Sequence, residues 1–185
     1  MTALIVLGGL VLLLLIWGIG HYNRFVRLRN HIRESWSDID VELKRRYELI
    51  PNLVATVKGY ANHEREVLER LMELRSRAVA STGEAESQAQ DESAMLLGLK
   101  SVFALAEGYP DLKADGNFLS LQEELALTED RIAASRRFYN ANVRDMNQLC
   151  EMFPSSIIAN WGGFERGSYF ELASDAERVV PKASV

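Results

Sequence analysis

Residues 1–20, MTALIVLGGLVLLLLIWGIG, carry no charged side chain. From Leu4 to Ile19 the run is almost continuously Leu, Ile and Val. About 20 apolar residues at 1.5 Å each span a hydrocarbon core of ~30 Å. In such a core only a helix satisfies the backbone of a lone span. Trp17 and Tyr22 fall where aromatic rings favour the headgroup layer. A cleaved signal peptide is the rival reading. It wants a basic start and a small-residue cleavage site. Here the start is Met1, Thr2, Ala3, and Trp17, Gly18, Ile19, Gly20, His21 make no such site. An uncleaved anchor over residues 1–21 is therefore expected.

Just beyond the run come Arg24, Arg27, Arg29 and Arg33, with no acid before Glu34. Basic residues stay on the cytoplasmic side. The expected topology is a single pass with the N-terminus outside and the remainder cytoplasmic. Arg24, Arg27 and Arg29 are also candidates for contact with lipid headgroups.

Further outward the apolar positions recur at helical spacing. Phe25, Leu28, Ile32, Trp36, Ile39, Leu43 and Ile50 step by threes and fours. That is an amphipathic helix. Pro51 lacks an amide hydrogen and suits the first turn of a new helix. A helix running unbroken from the membrane to Ser81 would measure about 90 Å. A turn at Pro51 is therefore expected, followed by a second helix carrying Val54, Val57, Ala61, Leu68, Leu71 and Ala78. Residues 81–93 are small and polar and read as a loop. A third helix carries Met95, Leu96, Leu99, Val102, Phe103 and Ala106, and residues 111–117 read as a turn. The last helix has the clearest seam. It runs through Phe118, Leu121, Leu125, Thr128, Ile132, Ser135, Tyr139, Val143, Met146, Cys150 and Phe153. Alternating steps of three and four make a bundle seam. Pro154 ends it.

The expected fold is all-α. A transmembrane helix is followed by an antiparallel up-and-down four-helix bundle with long helices over residues 22–153. Residues 154–185 form a tail whose Trp161, Phe164, Tyr169 and Phe170 can pack back on the bundle, lie on the membrane or meet a partner, and packing back is the reading preferred.

The 185 residues are 48% hydrophobic and 25% charged, with a net charge of -5. An acidic balance argues against nucleic-acid binding, which needs a basic face. The 1 cysteine, Cys150, excludes an intramolecular disulfide and lies on the apolar seam as a small hydrophobe. A di-metal bundle site needs Glu three residues before His. Gly18, Leu28 and Tyr60 stand there instead, and His63 with Glu64 is followed by Val67 where a zinc motif needs His. No cofactor and no enzymatic activity are expected. A dense set of polar residues remains: Trp36, Asp38, Asp40, Lys44, Arg45 and Arg46, with Asp130, Arg131, Arg136 and Arg137. Two readings stand open. Either they set helix register through ion pairs, or they form an interaction surface.

The chain also resembles a known family. The blocks are 22–23 (YN), 28–30 (LRN), 36–41 (WSDIDV), 43–46 (LKRR), 49–54 (LIPNLV), 57–61 (VKGYA) and 63–64 (HE). They continue at 109–113 (YPDLK), 117–118 (NF), 121–122 (LQ), 128–133 (TEDRIA), 136–137 (RR) and 139–140 (YN). Together and in this order they resemble the LemA family of bacterial membrane proteins, from about Tyr22 to about Phe170. The resemblance implies a short outer segment, one span of the bacterial inner membrane and a cytoplasmic antiparallel bundle. It brings no active site. A relative tied to magnetosome membrane formation suggests membrane organisation, and members found beside membrane peptidases suggest an adaptor. The expected function is a membrane-anchored scaffold that self-associates and organises or remodels the bacterial membrane. The alternative is an adaptor for a membrane-bound partner enzyme such as a peptidase. Membrane lipids, further copies of the chain and a membrane protein are the expected partners. The span has no GxxxG, so assembly is expected from the soluble part.

Overall fold

In the computed structural model, residues 1–61, 63–81 and 84–173 are described. Among them every regular element is helical. The helices are α1 (Thr2–Tyr60), α2 (Arg65–Ala80), α3 (Ala85–Ala106), α4 (Pro110–Lys113), α5 (Gly116–Glu151) and α6 (Ser155–Gly162). The all-helical reading and the long apolar N-terminal helix hold.

Pro51 does not make the expected turn. It lies inside α1, which continues to Tyr60. A proline within a helix removes the hydrogen bond to the carbonyl four residues earlier. Here that carbonyl belongs to Tyr47, and Arg75 Nε of α2 donates to it at 2.6 Å. A side chain from another helix thus replaces the lost donor. Helix α1 ends at Tyr60, beyond which Ala61 N bonds to Val57 O and Glu64 N to Ala61 O.

The loop expected over residues 81–93 is also corrected, because α3 already begins at Ala85. Its first turns bury Ala85, Gln88, Ala89, Glu92 and Ser93. Part of the polarity that suggested a loop, that of Gln88, Glu92 and Ser93, lies inside and is met by hydrogen bonds. The turn expected over residues 111–117 holds α4 and the start of α5. Pro110 stands at the start of α4, where its missing amide hydrogen costs nothing. Asp115 Oδ1 accepts from Phe118 N at 2.9 Å, capping α5.

The chain forms two compact units. One comprises residues 1–36 and 138–167. Its core is Phe25, Met146, Leu149, Ala159 and Phe164, with Val26, Leu28, Ile32, Cys150 and Ile158 packed around it. After α6 the chain passes Gly163, whose φ of 65° ends the helix in the left-handed region that glycine adopts freely. Asn147 then holds the segment beyond from both sides. Its Nδ2 donates to Gly167 O at 3.0 Å and its Oδ1 accepts from Gly167 N at 2.8 Å.

The other unit holds residues 37–137 and, of the described tail, residues 168–173. Ile39, Leu43, Ile50, Leu53 and Val57 of α1 are buried in it, with Leu71, Met95, Leu99, Val102, Leu112, Phe118, Leu125 and Ile132. Phe170 is buried too, and Ala173 N donates to Ser93 Oγ at 3.0 Å. Of the tail aromatics expected to pack back, Phe164 and Phe170 are buried. Trp161 and Tyr169 remain exposed.

Candidate functional site

The apolar run of α1 is the most conspicuous surface. Its Leu, Ile and Val side chains from Leu4 to Ile19 are 49–74% exposed. The segment is long and apolar enough to cross a membrane, and none of that window is buried in the protein. A core helix of a water-soluble fold would be covered.

Arg24, Arg27 and Arg29, the candidate headgroup contacts, are all exposed. They follow the span on the one helix, and Arg29 has a further contact. Its guanidinium lies over the ring of Phe164, 5.4 Å from the centroid. That ring is stacked on Phe25 at 4.8 Å and meets Tyr22 edge-on at 5.5 Å. A cation over an aromatic face is attracted by the ring's negative centre. Gly162 allows this cluster to close. A Cβ there would stand 2.6 Å from Phe164 Cε2 and 3.3 Å from Tyr22 Cε2.

The polar residues singled out in the sequence divide between surface and interior. Asp38, Lys44, Arg45, Asp130, Arg131 and Arg137 are exposed, while Asp40 and Arg136 are half-buried. Lys44 Nζ donates to Asp40 Oδ2 at 2.6 Å. Arg131 Nη1 lies 3.8 Å from Glu42 Oε1. Trp36 is half-buried, its ring 5.3 Å from that of Tyr139. Arg46, for which ion pairing and an interaction surface both stood open, is 1% exposed and lies inside.

Arg46 is the centre of a buried polar network. Its Nη1 donates to Glu129 Oε1 and Oε2 at 2.8 and 2.9 Å, and its Nη2 donates to Glu92 Oε2. The other Glu92 oxygen accepts from the Tyr47 hydroxyl and from Gln88 Nε2 at 3.1 Å. Glu92 therefore receives donors from three side chains in a place water does not reach. Burial alone would pull the Arg46 pKa down, but Glu129 and Glu92 together outweigh it and hold it above its ordinary value. Burial and then the Glu92 carboxylate push the Tyr47 hydroxyl up, so it stays a donor. Glu92 and Gln88 were missed in the sequence because their stretch was read as a loop.

This network joins α1, α3 and α5, and within it Arg46 Nε is buried without a hydrogen-bond partner. A buried charge cluster of this kind fixes which helix faces meet. It offers no pair of nucleophile and base open to a substrate. Among the described residues no group of three or more His, Cys, Asp or Glu is placed to hold a metal ion. Burial pushes the Cys150 thiol up, which lowers its thiolate content. Two concavities lie among the described residues of the unit that holds residues 37–137. One of about 370 Å³ is lined by Val54, Lys58, Ala61, Arg65, Leu68, Glu69 and Met72. The other, about 400 Å³, is lined by Glu86, Gln90, Ser168, Tyr169 and Glu171.

Residues 35–184 match the profile of the LemA family. Protein LemA of Metamycoplasma hominis is 30% identical over 165 residues, covering 87% of this chain and 73% of its own length. Magnetosome protein MamQ 2 of Paramagnetospirillum magneticum is 26% identical over 188 residues, covering 87% of this chain and 69% of the relative. Magnetosome protein MamQ of Magnetospirillum gryphiswaldense is 25% identical with the same coverage.

Proposed function

The chain belongs to the LemA family, and from that premise we propose that it is a non-enzymatic, membrane-anchored scaffold that self-associates and organises the bacterial membrane. The observation that carries the reading is the uncovered apolar run of α1. Among the described residues nothing covers residues 2–16, and lipid is the solvent that suits them. The arginines that follow it favour a cytoplasmic location for the rest of the chain, in the inner membrane. The relatives named as magnetosome proteins support a role at a membrane.

An antiparallel helical bundle over residues 22–153 is part of the same proposal. Tyr60 meets Asp115 while Glu42 meets Arg131, the descending register of two opposed helices. Arg77 of α2 pairs likewise with Asp91 of α3 at 2.8 Å.

Self-association is assigned to the exposed side of this bundle. Asp38, Val41 and Arg45 follow one another at helical spacing on α1, and Leu127, Asp130 and Arg137 do so on α5. Val41 and Leu127 are more than half exposed. Stripes with both signs of charge around an apolar residue are self-complementary across a two-fold axis.

The test is the mass of the full chain in detergent, by light scattering corrected for bound detergent. A defined oligomer that falls apart in the charge-reversed variant D38K/R45E supports the scaffold. A monomer at all concentrations sinks it and leaves the adaptor, for which a stoichiometric membrane partner would then be isolated.

A further inference from the structure

The membrane contact of this protein extends beyond its span. We propose that the turn at residues 152–154 and the outer face of α6 form a second membrane seat, embedded in the lipid interface beside the end of the span. This rests on the reading of α1 as membrane-spanning.

The packing places α6 at the right depth. Residues 2–16 of α1 are exposed throughout, and cover begins at Trp17, Gly18 and His21. The cover is α6. Ile158 Cδ1 lies 3.9 Å from the position of a Cβ on Gly18. Further along, Trp161 meets Tyr22 edge-on at 6.3 Å. About 20 residues cross the hydrocarbon, so Gly18 to Tyr22 is the level where hydrocarbon gives way to headgroups. Ile158 beside Gly18 and Trp161 beside Tyr22 also give α6 the same direction as α1. Residues ahead of Ser155 therefore lie toward the bilayer centre.

The chemistry of the outward side fits that depth. Ile157 and Trp161, one helical turn apart, are 55% and 80% exposed. Met152 and Phe153, in the turn before α6, are 60% and 81% exposed. Four large apolar side chains within residues 152–161 would stand in water if the segment were solvated. In a bilayer they lie where apolar faces of short helices bury and where tryptophan is favoured. The charges nearby do not oppose this. Glu151 is paired with Arg166 at 3.2 Å, and Arg24 and Arg27 are exposed where phosphates lie. Lipid, rather than a second protein, is the occupant because the patch continues the lipid-facing surface of the span.

The test uses the full chain in nanodiscs of phosphatidylcholine and phosphatidylglycerol. Cys150 is replaced by Ala and a spin label is placed in turn at L10C, D38C, F153C and I157C. Collision with oxygen, which concentrates in lipid, is compared with collision with a water-soluble nickel chelate. The expected result is an oxygen-to-nickel ratio at 153 and 157 several-fold above that at 38 and close to that at 10. A nickel-rich environment at 153 and 157 with an oxygen-rich one at 10 overturns the seat and leaves the span standing. Nickel access at 10 overturns both. Shielding of 153 and 157 from both reagents means that a second copy covers the patch, and overturns the proposal as well. A companion variant, W17F/W36F, keeps Trp161 alone and leaves Cys150 in place. Its fluorescence is expected to be quenched by lipids brominated near the headgroup, and unquenched emission would count against the seat.

Discussion

Arg75 Nε donates to the backbone carbonyl of Tyr47 at 2.6 Å, the oxygen that Pro51 leaves without its helical partner. Removing the arginine strands a carbonyl inside a helix, at a cost of about 1–3 kcal/mol. Arg75→Met is therefore expected to lower the unfolding temperature. Restoring the backbone donor should abolish much of that effect. In a Pro51→Ala background, Arg75→Met should cost clearly less. A thermal double-mutant cycle followed by circular dichroism checks this, and additive effects would refute the link.

Arg46 stands between two carboxylates with 1% of its surface exposed. Arg46→Met leaves Glu92 without its countercharge in a place with no water, a change that typically costs about 3–5 kcal/mol. The expected sign is strongly destabilising, read from urea unfolding. Arg46→Met combined with Glu92→Met should recover part of the loss, since the stranded charge is then gone. A double variant weaker than the single one would overturn the account.

The Asp115 carboxylate caps α5 and accepts the Tyr60 hydroxyl at 3.0 Å. The amide of Phe118 is the main cause that holds its pKa below the usual carboxylate value. A depressed pKa contributes stability above the unfolded value, and that contribution fades as pH falls through the folded one. The hydrogen bond to Asp115 raises the Tyr60 pKa. That contribution is present below the ordinary tyrosine value and fades as pH rises through the raised one. Asp115→Ala is expected to unfold at lower temperature than the parent at neutral pH, with the gap narrowing in acid. Asp115→Asn should fall closer to the parent, because asparagine also caps helices. Melting curves across pH measure both.

Gly162 lacks the carbon that would strike Phe164. Gly162→Ala should displace that ring from Phe25 and loosen the cover over Cys150, whose Sγ lies 3.8 Å from the Phe164 carbonyl. The expected readout is faster reaction of the Cys150 thiol with a maleimide at constant pH. An unchanged rate would show that the ring does not shield it.

The long helices were legible because their apolar residues keep a period of three and four across many turns. Phe25 to Ile50 and Phe118 to Met146 needed nothing more. Pro51 misled because its local preference was overruled by Arg75, a residue 24 positions away whose role no local pattern announces. The start of α3 was hidden differently. Gln88 and Glu92 occupy the same face as Leu96 and Leu99, so extending that period backward would have found them. Their polarity argued for a loop because buried polar groups are legible only with their partners. Arg46 posed the same difficulty, since a run of Lys44, Arg45 and Arg46 gives no sign of which member turns inward. The long apolar run of α1 was plain from composition. The exposed apolar turn at Met152 and Phe153 was not, because the approach of Ile158, just beyond it, to Gly18 arises only on folding.

One compact unit draws on residues 1–36 and again on 138–167. During synthesis these two parts are separated by roughly 100 residues, or roughly 5–20 s of elongation at ordinary rates. Phe25 thus waits for Met146 and Phe164 long after it has left the ribosome. Completion of this unit is a late event in biogenesis, and a stalled or truncated nascent chain would carry its first hydrophobic segment with no finished partner to meet it.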